Sequence, residues 1–173
     1  MNLSDYIRTV TDFPIAGIKF RDITPLLQEP QALAAAIDQM IELTKEWGKV
    51  DLVAAPEARG FVFAVPIAMR LGVGFVPIRK PGKLPYKTVS KSYGLEYGVN
   101  TVQMHSDAVK SGTRVLIVDD LLATGGTMDA CRQLIEENGG VVVGGLFLIE
   151  LIGLNGRENL KTKNIGTLLT YPA

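Results

Sequence analysis

Residues 115–127, VLIVDDLLATGGT, combine an apolar run, an acidic pair and a loop rich in glycine and threonine. Residues 115–118 are continuously apolar and mostly β-branched, which is typical of a strand covered on both faces. Beyond the loop, residues 127–138 carry apolar side chains three and four positions apart, and this spacing predicts a helix that Gly139 ends. The segment therefore predicts one strand–loop–helix unit of an α/β sheet.

The flanking sequence repeats this alternation of strands and helices. Apolar runs and helical spacings predict helices over 31–47 and 61–71, strands over 52–55, 75–78, 101–104 and 141–149, and an edge strand over 167–170. The alternation implies an α/β domain in which a mostly parallel central sheet is flanked by helices. Ligands of such sheets bind beyond the carboxyl ends of strands, here after Ala55, Ile78 and Val118.

The composition is that of a single globular domain. The chain has 173 residues, of which 47% are hydrophobic and 21% charged. Its 18 basic and 18 acidic residues cancel, so no overall positive field favours a nucleic acid as partner. Cys131 is the only cysteine and offers neither a disulfide nor a zinc cluster, and no apolar run suits a membrane span or a signal peptide. We therefore expect a cytoplasmic protein that binds neither nucleic acid nor membrane.

Asp119 and Asp120 follow the predicted strand directly, and adjacent carboxylates at a strand end need separate partners. Vicinal sugar hydroxyls would suit them as donors, and a magnesium ion is the competing use. Residues 123–127 come next, and their glycines allow a backbone that surrounds a phosphate with N–H groups at a helix N-terminus. Taken alone, each feature also fits a solvated turn or a helix cap. Together, at this spacing, they suit a ribose 5-phosphate.

Two other nucleotide-binding motifs are absent from the sequence. It contains neither the GxxxxGK[ST] pattern of P-loop ATPases nor a GxGxxG pattern after a strand. Residues 115–127 instead strongly resemble the 5-phosphoribosyl diphosphate (PRPP) motif of type I phosphoribosyltransferases. Four more segments resemble the adenine phosphoribosyltransferases of that family, namely FPIAGIKFRDITP at 13–25, EARGF at 57–61, RKPGKLP at 79–85 and LEYG at 95–98.

The resemblance implies the type I phosphoribosyltransferase fold and its reaction over residues 1–173. The 5-phosphoribosyl group would pass from PRPP to adenine, giving AMP and pyrophosphate, a pentosyl transfer of purine salvage. Mg²⁺ bound with PRPP is the implied cofactor, and a homodimer is the implied assembly. The motif assigns the ribose, and an indirect contact with the metal, to Asp119 and Asp120. It assigns the 5′-phosphate to Ala123, Thr124, Gly125, Gly126 and Thr127.

Arg59 lies in the turn beyond the strand predicted at 52–55, where its planar guanidinium suits diphosphate oxygens. An arginine on a solvated turn is the alternative. The resemblance implies that Glu57, Ala58 and Arg59 hold the pyrophosphate, and some members of the family have a cis peptide at the position of Glu57 and Ala58. Pro56 departs from the family pattern, which has a small residue other than proline there, so the conformation of this loop is the point to check.

Residues 79–98 form a long segment with few apolar residues and no predicted strand or helix. A mobile hairpin is one interpretation, but the resemblance implies a flexible catalytic loop that closes over PRPP. Its basic side chains would attract the diphosphate, and those assigned to it are Arg79, Lys80 and Lys83. Glu96 has the position of the family's acid/base residue. The implied catalytic residues are Glu96, Tyr97 and Arg59.

Residues 1–30 would contribute a small hood over the base. Phe20 would stack on a purine face while the backbone near Lys19 and Arg21 reads its edge, although the residue pattern by itself favours a core position for Phe20. The preference for adenine follows from the resemblance of residues 13–25. Two other functions stay open. One is a phosphoribosyltransferase for xanthine or hypoxanthine, and the other is a purine or PRPP sensor, although the chain has neither spare length nor basic excess for DNA binding.

Overall fold

The computed structural model describes residues 1–95 and 98–173. After a 3₁₀ turn at Leu3–Tyr6, the described helices are α1 (Thr24–Gln28), α2 (Pro30–Glu42), α3 (Arg59–Leu71), α4 (Gly126–Glu137) and α5 (Gly156–Asn159). The described strands are β1 (Arg8–Thr11), β2 (Lys19–Asp22), β3 (Leu52–Pro56), β4 (Gly74–Ile78), β5 (Thr88–Gly94), β6 (Val99–His105), β7 (Arg114–Leu122), β8 (Val141–Ile152) and β9 (Ile165–Pro172).

The central sheet is parallel, with the order β4-β3-β7-β8-β9 among the described strands. Alternate side chains of β7 face opposite layers, as strand geometry requires. Leu116 and Val118 pack with α2 and α3, whereas Val115 and Ile117 pack with α4. Helices therefore cover both faces of the buried central strand. This arrangement confirms the predicted α/β fold and the edge position of β9.

Two antiparallel hairpins stand outside the central sheet. β1 pairs with β2, and β5 pairs with β6 over seven residues of each strand. The strand predicted over 101–104 thus belongs to a hairpin, and the segment 79–98, predicted to lack regular structure, contains β5. The sequence of β5, TVSKSYG, has few apolar residues because the strand is only half-buried, so hydrophobic periodicity missed it.

The acidic pair lies inside β7 rather than in a turn after it. β7 continues to Leu122, and its pairing with β8 continues through Asp119↔Phe147 and Leu122↔Glu150. The predicted strand end at Val118 was wrong because two carboxylates interrupt the apolar run while the backbone ladder goes on. The loop of residues 123–127, predicted to bind a phosphate, consequently begins directly after the strand.

The three predicted helices lie within two residues of their predicted bounds except at the end of α2, and the short helices α1 and α5 were not predicted. α3 spans its predicted residues even though Pro66 is in its interior. α2 ends at Glu42 instead of Trp47, because the N–H and the hydroxyl of Thr44 both donate to the Ile41 carbonyl and tighten the chain into turns. None of the described helices is long and apolar enough to cross a membrane.

Candidate active site

The carboxyl ends of β3, β4 and β7 lie at one edge of the sheet, where three cavities open. The central cavity, of about 270 Å³, lies between the end of β3, the acidic pair and residues 123–127. The hairpin cavity, of about 190 Å³, lies between β3, β4 and the β5–β6 hairpin. The hood cavity, of about 180 Å³, lies under β2. The central cavity shares wall residues with both of the others, so the three form a continuous row.

The loop between β7 and α4 forms one wall of the central cavity, and all five of its predicted residues line it. Gly125 has a φ of +83°, a left-handed conformation that side chains rarely adopt, and it precedes the first turn of α4. The first N–H groups of a helix have no partner within it. The loop and the start of α4 therefore present backbone donors and a partial positive charge, which suits an anion.

Asp120 is buried, and its Oδ2 accepts a hydrogen bond of 2.6 Å from Nε of Arg59. The backbone N–H of Asp120 donates to Oδ1 of Asp119 at 2.9 Å. Burial, and then the negative charge of Asp120, raise the pKa of Asp119 well above its ordinary value. The two carboxylates have separate partners, as strand geometry predicted, and both line the central cavity.

A cis peptide joins Glu57 to Ala58 even though Pro56 precedes it. Oε1 of Glu57 accepts a hydrogen bond of 2.8 Å from the backbone N–H of Lys80 and lies 3.3 Å from Nε of Arg79. The Lys80 hydrogen bond, with help from the Arg79 charge, holds the pKa of Glu57 below its ordinary value. Glu57, Arg79 and Lys80 thereby form one unit that lines the hairpin cavity.

Lys83 does not reach this unit with its side chain. It contributes its carbonyl oxygen, which accepts a hydrogen bond of 3.2 Å from Nη1 of Arg79, while its side chain is exposed and lines none of the three cavities. Ala58 precedes α3 and Arg59 begins it, so the Arg59 side chain stands where the central and hood cavities meet.

Lys19, Phe20 and Arg21 all line the hood cavity, together with apolar side chains from the ends of β7 and β8. The Phe20 ring packs edge-on against Phe13, with 5.1 Å between centroids, and the Arg59 guanidinium lies 5.7 Å from its centroid. Arg21 stacks at 4.4 Å on the ring of Tyr171. Phe20 is thus a half-buried wall of a cavity rather than a core residue, while its stacking on a purine stays a prediction.

Tyr93 is a residue of the site that the sequence did not single out. Its hydroxyl lies 2.9 Å from the Thr127 hydroxyl, so it joins the β5–β6 hairpin to the loop at the start of α4. Lys91, two positions earlier, pairs with Glu137 at the end of α4. Had β5 been predicted as a strand, its alternation would have placed Lys91 and Tyr93 on one face. The predicted catalytic residues Glu96 and Tyr97 lie outside the described residues.

The donor set at this edge is sparse for a resident metal ion. Within residues 1–95 and 98–173, no group of three or more His, Cys, Asp or Glu side chains could hold one. Asp120 is engaged by Arg59, and Asp119 by a backbone N–H. Mg²⁺ prefers about six oxygen ligands and keeps several waters. An ion bound at this edge would therefore take most of its ligands from a bound substrate and from water.

Comparisons with known proteins cover nearly the whole chain. The phosphoribosyl transferase domain model matches residues 22–159. The adenine phosphoribosyltransferase of Kosmotoga olearia is 53% identical over 171 residues, which is 99% of this chain and 100% of that protein.

Solved structures give the same result. The adenine phosphoribosyltransferase of Thermoanaerobacter pseudethanolicus has a TM-score of 0.94 at 50% identity, covering 98% of this chain and 100% of its own. The enzyme from Saccharomyces cerevisiae, complexed with D-2,5-dideoxy-2,5-imino-altritol 1,6-bisphosphate and adenine, has a TM-score of 0.88 at 37% identity and covers 96% of each chain.

Proposed function

The chain belongs to the phosphoribosyl transferase family and, within it, to the adenine phosphoribosyltransferases, and from this premise we propose how its residues divide the reaction among them. The reaction transfers the 5-phosphoribosyl group from PRPP to adenine and releases pyrophosphate, giving AMP. The row of three cavities carries the proposal: the central cavity shares Glu57 and Thr127 with the hairpin cavity, and it shares Arg59 and Asp120 with the hood cavity. Its order matches the order of the parts of the substrates, with pyrophosphate, ribose and base side by side.

The central cavity takes the ribose 5-phosphate. Residues 123–127 surround the 5′-phosphate with backbone N–H groups, helped by the hydroxyls of Thr124 and Thr127. Asp120, and with it Asp119, accepts hydrogen bonds from the ribose hydroxyls. Because Arg59 already holds Asp120 in place, the carboxylate is oriented before the sugar arrives, which lowers the entropy cost of binding.

The hairpin cavity takes the pyrophosphate. Arg79 and Lys80 supply positive charge there. Glu57 holds the Arg79 guanidinium and the backbone of Lys80, and Arg59 adds a guanidinium from the side of the ribose. Lys83 contributes charge at the rim, since its side chain is exposed. Charge that grows on the departing diphosphate is stabilised by the Arg79 guanidinium, which Glu57 has already oriented.

The hood cavity takes adenine. Phe20 supplies one aromatic face, Leu121 and Ile149 supply an apolar wall, and the backbone at Lys19 and Arg21 reads the edge of the base. The yeast relative, whose structure holds adenine together with a bisphosphate, supports neighbouring sites for the two ligands. Glu96 is proposed to exchange a proton with a purine ring nitrogen, next to Tyr97.

Catalysis then comes mainly from position and charge. Fixing adenine and the ribose side by side makes the encounter effectively intramolecular. Loss of the diphosphate leaves positive character on the ribose ring, as in glycosyl transfer generally, and the carboxylates of Asp119 and Asp120 lie beside that ring. Mg²⁺ bound with PRPP would neutralise diphosphate oxygens, with Asp119 and Asp120 in indirect contact.

We also propose that the protein is a cytoplasmic homodimer that serves purine salvage. An exposed apolar row on α3, formed by Val62, Val65 and Met69 at helical spacing, supports a second copy of the chain as partner. The buried free thiol of Cys131 is compatible with a reducing compartment. Light scattering that found an active monomer at working concentrations would contradict the dimer.

The test of the assignments is a steady-state assay with PRPP, Mg²⁺ and adenine, hypoxanthine or xanthine in turn. AMP from adenine, at a higher kcat/KM than the other two products, is expected. Thr124→Ala and Thr127→Val should raise the KM for PRPP and leave the KM for adenine nearly unchanged. Thr44→Val is the matched control, because it removes a hydroxyl at the end of α2 instead. Equal effects of all three threonine variants would contradict the phosphate assignment.

A further inference from the structure

Glu150 is a buried carboxylate that the proposed reaction does not use. It lies near the end of β8 and is 6% exposed. Nε of Arg157 donates to both of its oxygens, at 2.8 and 3.0 Å, and Nη2 donates to Oε2 at 2.7 Å. Thr167 on β9 adds a hydrogen bond of 2.9 Å to the same oxygen. Two strands and α5 are thereby tied together at one point.

The guanidinium and hydroxyl donors keep this carboxylate ionised. Burial by itself would raise the pKa of Glu150, but the hydrogen bonds from Arg157 and Thr167 hold it below its ordinary value. Arg157 is further fixed by donating to the Ile165 carbonyl at 3.1 Å and to the Thr167 hydroxyl at 2.9 Å. The position of Arg157 is therefore strongly determined, although about half of its side chain is exposed.

Arg157 belongs to α5, which is only one turn long and has too few hydrogen bonds to be stable without tertiary contacts. This turn packs directly against the phosphate loop. A Cβ on Gly125 would lie 2.6 Å from the Gly156 carbonyl oxygen, and a Cβ on Gly156 would clash with the Ala123 carbonyl oxygen. Asn159 donates to the Thr124 carbonyl at 2.7 Å. The outer side of the loop is thus in contact with α5 along most of its length.

We propose that Glu150 and Arg157 are positioning residues for the 5′-phosphate of PRPP and AMP. Their ion pair holds α5, and α5 holds residues 123–125 so that the N–H groups of the loop point into the central cavity before the substrate binds. This inference rests on the proposed assignment of the 5′-phosphate to that loop. Neither side chain lines the central cavity, so the effect passes through the backbone of α5.

The consequence is selective for ligands that carry the phosphate. Without the ion pair, binding must also order the loop, and that cost is paid by PRPP and AMP but not by adenine. Loss of about 1 kcal/mol of preorganisation corresponds to about a fivefold weaker affinity. A loss that affects ground state and transition state alike raises the KM for PRPP and changes kcat little.

The experiment compares Glu150→Gln, Arg157→Ala and Arg157→Lys with the wild type in the full-length protein. Readouts are kcat, the KM values for PRPP and adenine, the Kd for AMP by calorimetry, and the unfolding temperature. Ile37→Val is the matched control, because it removes a methyl group from the buried face of α2, away from residues 123–127. Thr167→Val serves as a milder second variant if Glu150→Gln does not fold.

We expect Glu150→Gln and Arg157→Ala to raise the KM for PRPP and the Kd for AMP about fivefold to tenfold. The KM for adenine should change less than about twofold, and Arg157→Lys, which keeps the charge, should recover part of the loss. Ile37→Val should lower the unfolding temperature without either effect. A Glu150→Gln protein that loses stability but binds PRPP and AMP like the wild type overturns the inference. If the Thr124 and Thr127 variants also leave PRPP binding intact, the loop assignment itself fails.

Discussion

Replacing Gly125 by alanine tests whether the loop before α4 depends on a left-handed residue pressed against α5. The φ of Gly125 is +83°, and an added Cβ would stand 2.6 Å from the Gly156 carbonyl oxygen. A left-handed alanine costs about 1–2 kcal/mol, and overpacking at a rigid contact costs about 1–3 kcal/mol more. We therefore expect Gly125→Ala to lower the free energy of unfolding by about 2–5 kcal/mol.

Gly126→Ala is the matched control, because it adds the same methyl group one position later. A Cβ on Gly126 meets nothing within 4 Å, and this glycine is the first residue of α4 with no positive φ. Alanine there should be neutral or stabilise the helix by up to about 1 kcal/mol. In a domain of this size, 1 kcal/mol shifts the unfolding temperature by about 2–4 °C.

The assay is thermal unfolding of wild type and both variants, at one protein concentration because an oligomer's stability depends on it. Gly125→Ala should melt at least about 4 °C below Gly126→Ala. Unfolding temperatures that agree within the error of the measurement would refute the reasoning, since backbone strain and the contact with Gly156 would then both be absent.

Three further predictions concern the same edge of the sheet. Tyr93→Phe removes the hydroxyl that lies 2.9 Å from the Thr127 hydroxyl. Urea denaturation should show a free energy of unfolding about 0.5–1.5 kcal/mol lower than that of the wild type. An unchanged free energy of unfolding would mean that the two hydroxyls form no hydrogen bond. Burial and the charge of Asp120 raise the pKa of Asp119, so the folded state binds the Asp119 proton more tightly than the unfolded state does. The protein therefore loses stability as the pH rises from the ordinary pKa of 3.8 towards the raised pKa of the folded state. Asp119→Asn should therefore melt above the wild type at neutral pH, by a margin that narrows towards pH 4, while PRPP binding weakens; a margin independent of pH would contradict this account. Burial raises the pKa of the Cys131 thiol, so a thiol reagent should react only after unfolding, and rapid labelling of the native protein would refute it.

The sequence predicted the parts of the site whose chemistry is local. Residues 123–127 carry the whole loop before α4 in consecutive positions, and the strand before it and the helix after it are visible as runs and spacings of apolar residues. The Phe20 position was harder, because an isolated aromatic side chain has the same pattern in a core and in a cavity wall. The resemblance of residues 13–25 to adenine phosphoribosyltransferases, rather than periodicity, led to the choice of a binding site, and the structure places Phe20 in a cavity wall.

The secondary-structure predictions were wrong where strands contain polar side chains. β5 was missed and β7 was ended at Val118, because both judgements used hydrophobicity while strand pairing depends on backbone groups that every residue has. The same limit hid Tyr93, whose contact with Thr127 spans 34 residues and required β5 to exist.

By itself, the sequence determined the alternation of elements, the parallel sheet and the glycine-rich loop before α4, since these depend on the order of residue types over short distances. Only the tertiary structure decided which residues from distant parts of the chain come into contact at the site. Arg59 reaches Asp120 over 61 residues, and Gly156 touches Gly125 because β8 and β9 bring α5 back to the same edge. Such contacts depend on how strands that are far apart in the sequence pack together. The residues on either side of each partner therefore carry no pattern that would predict the contact.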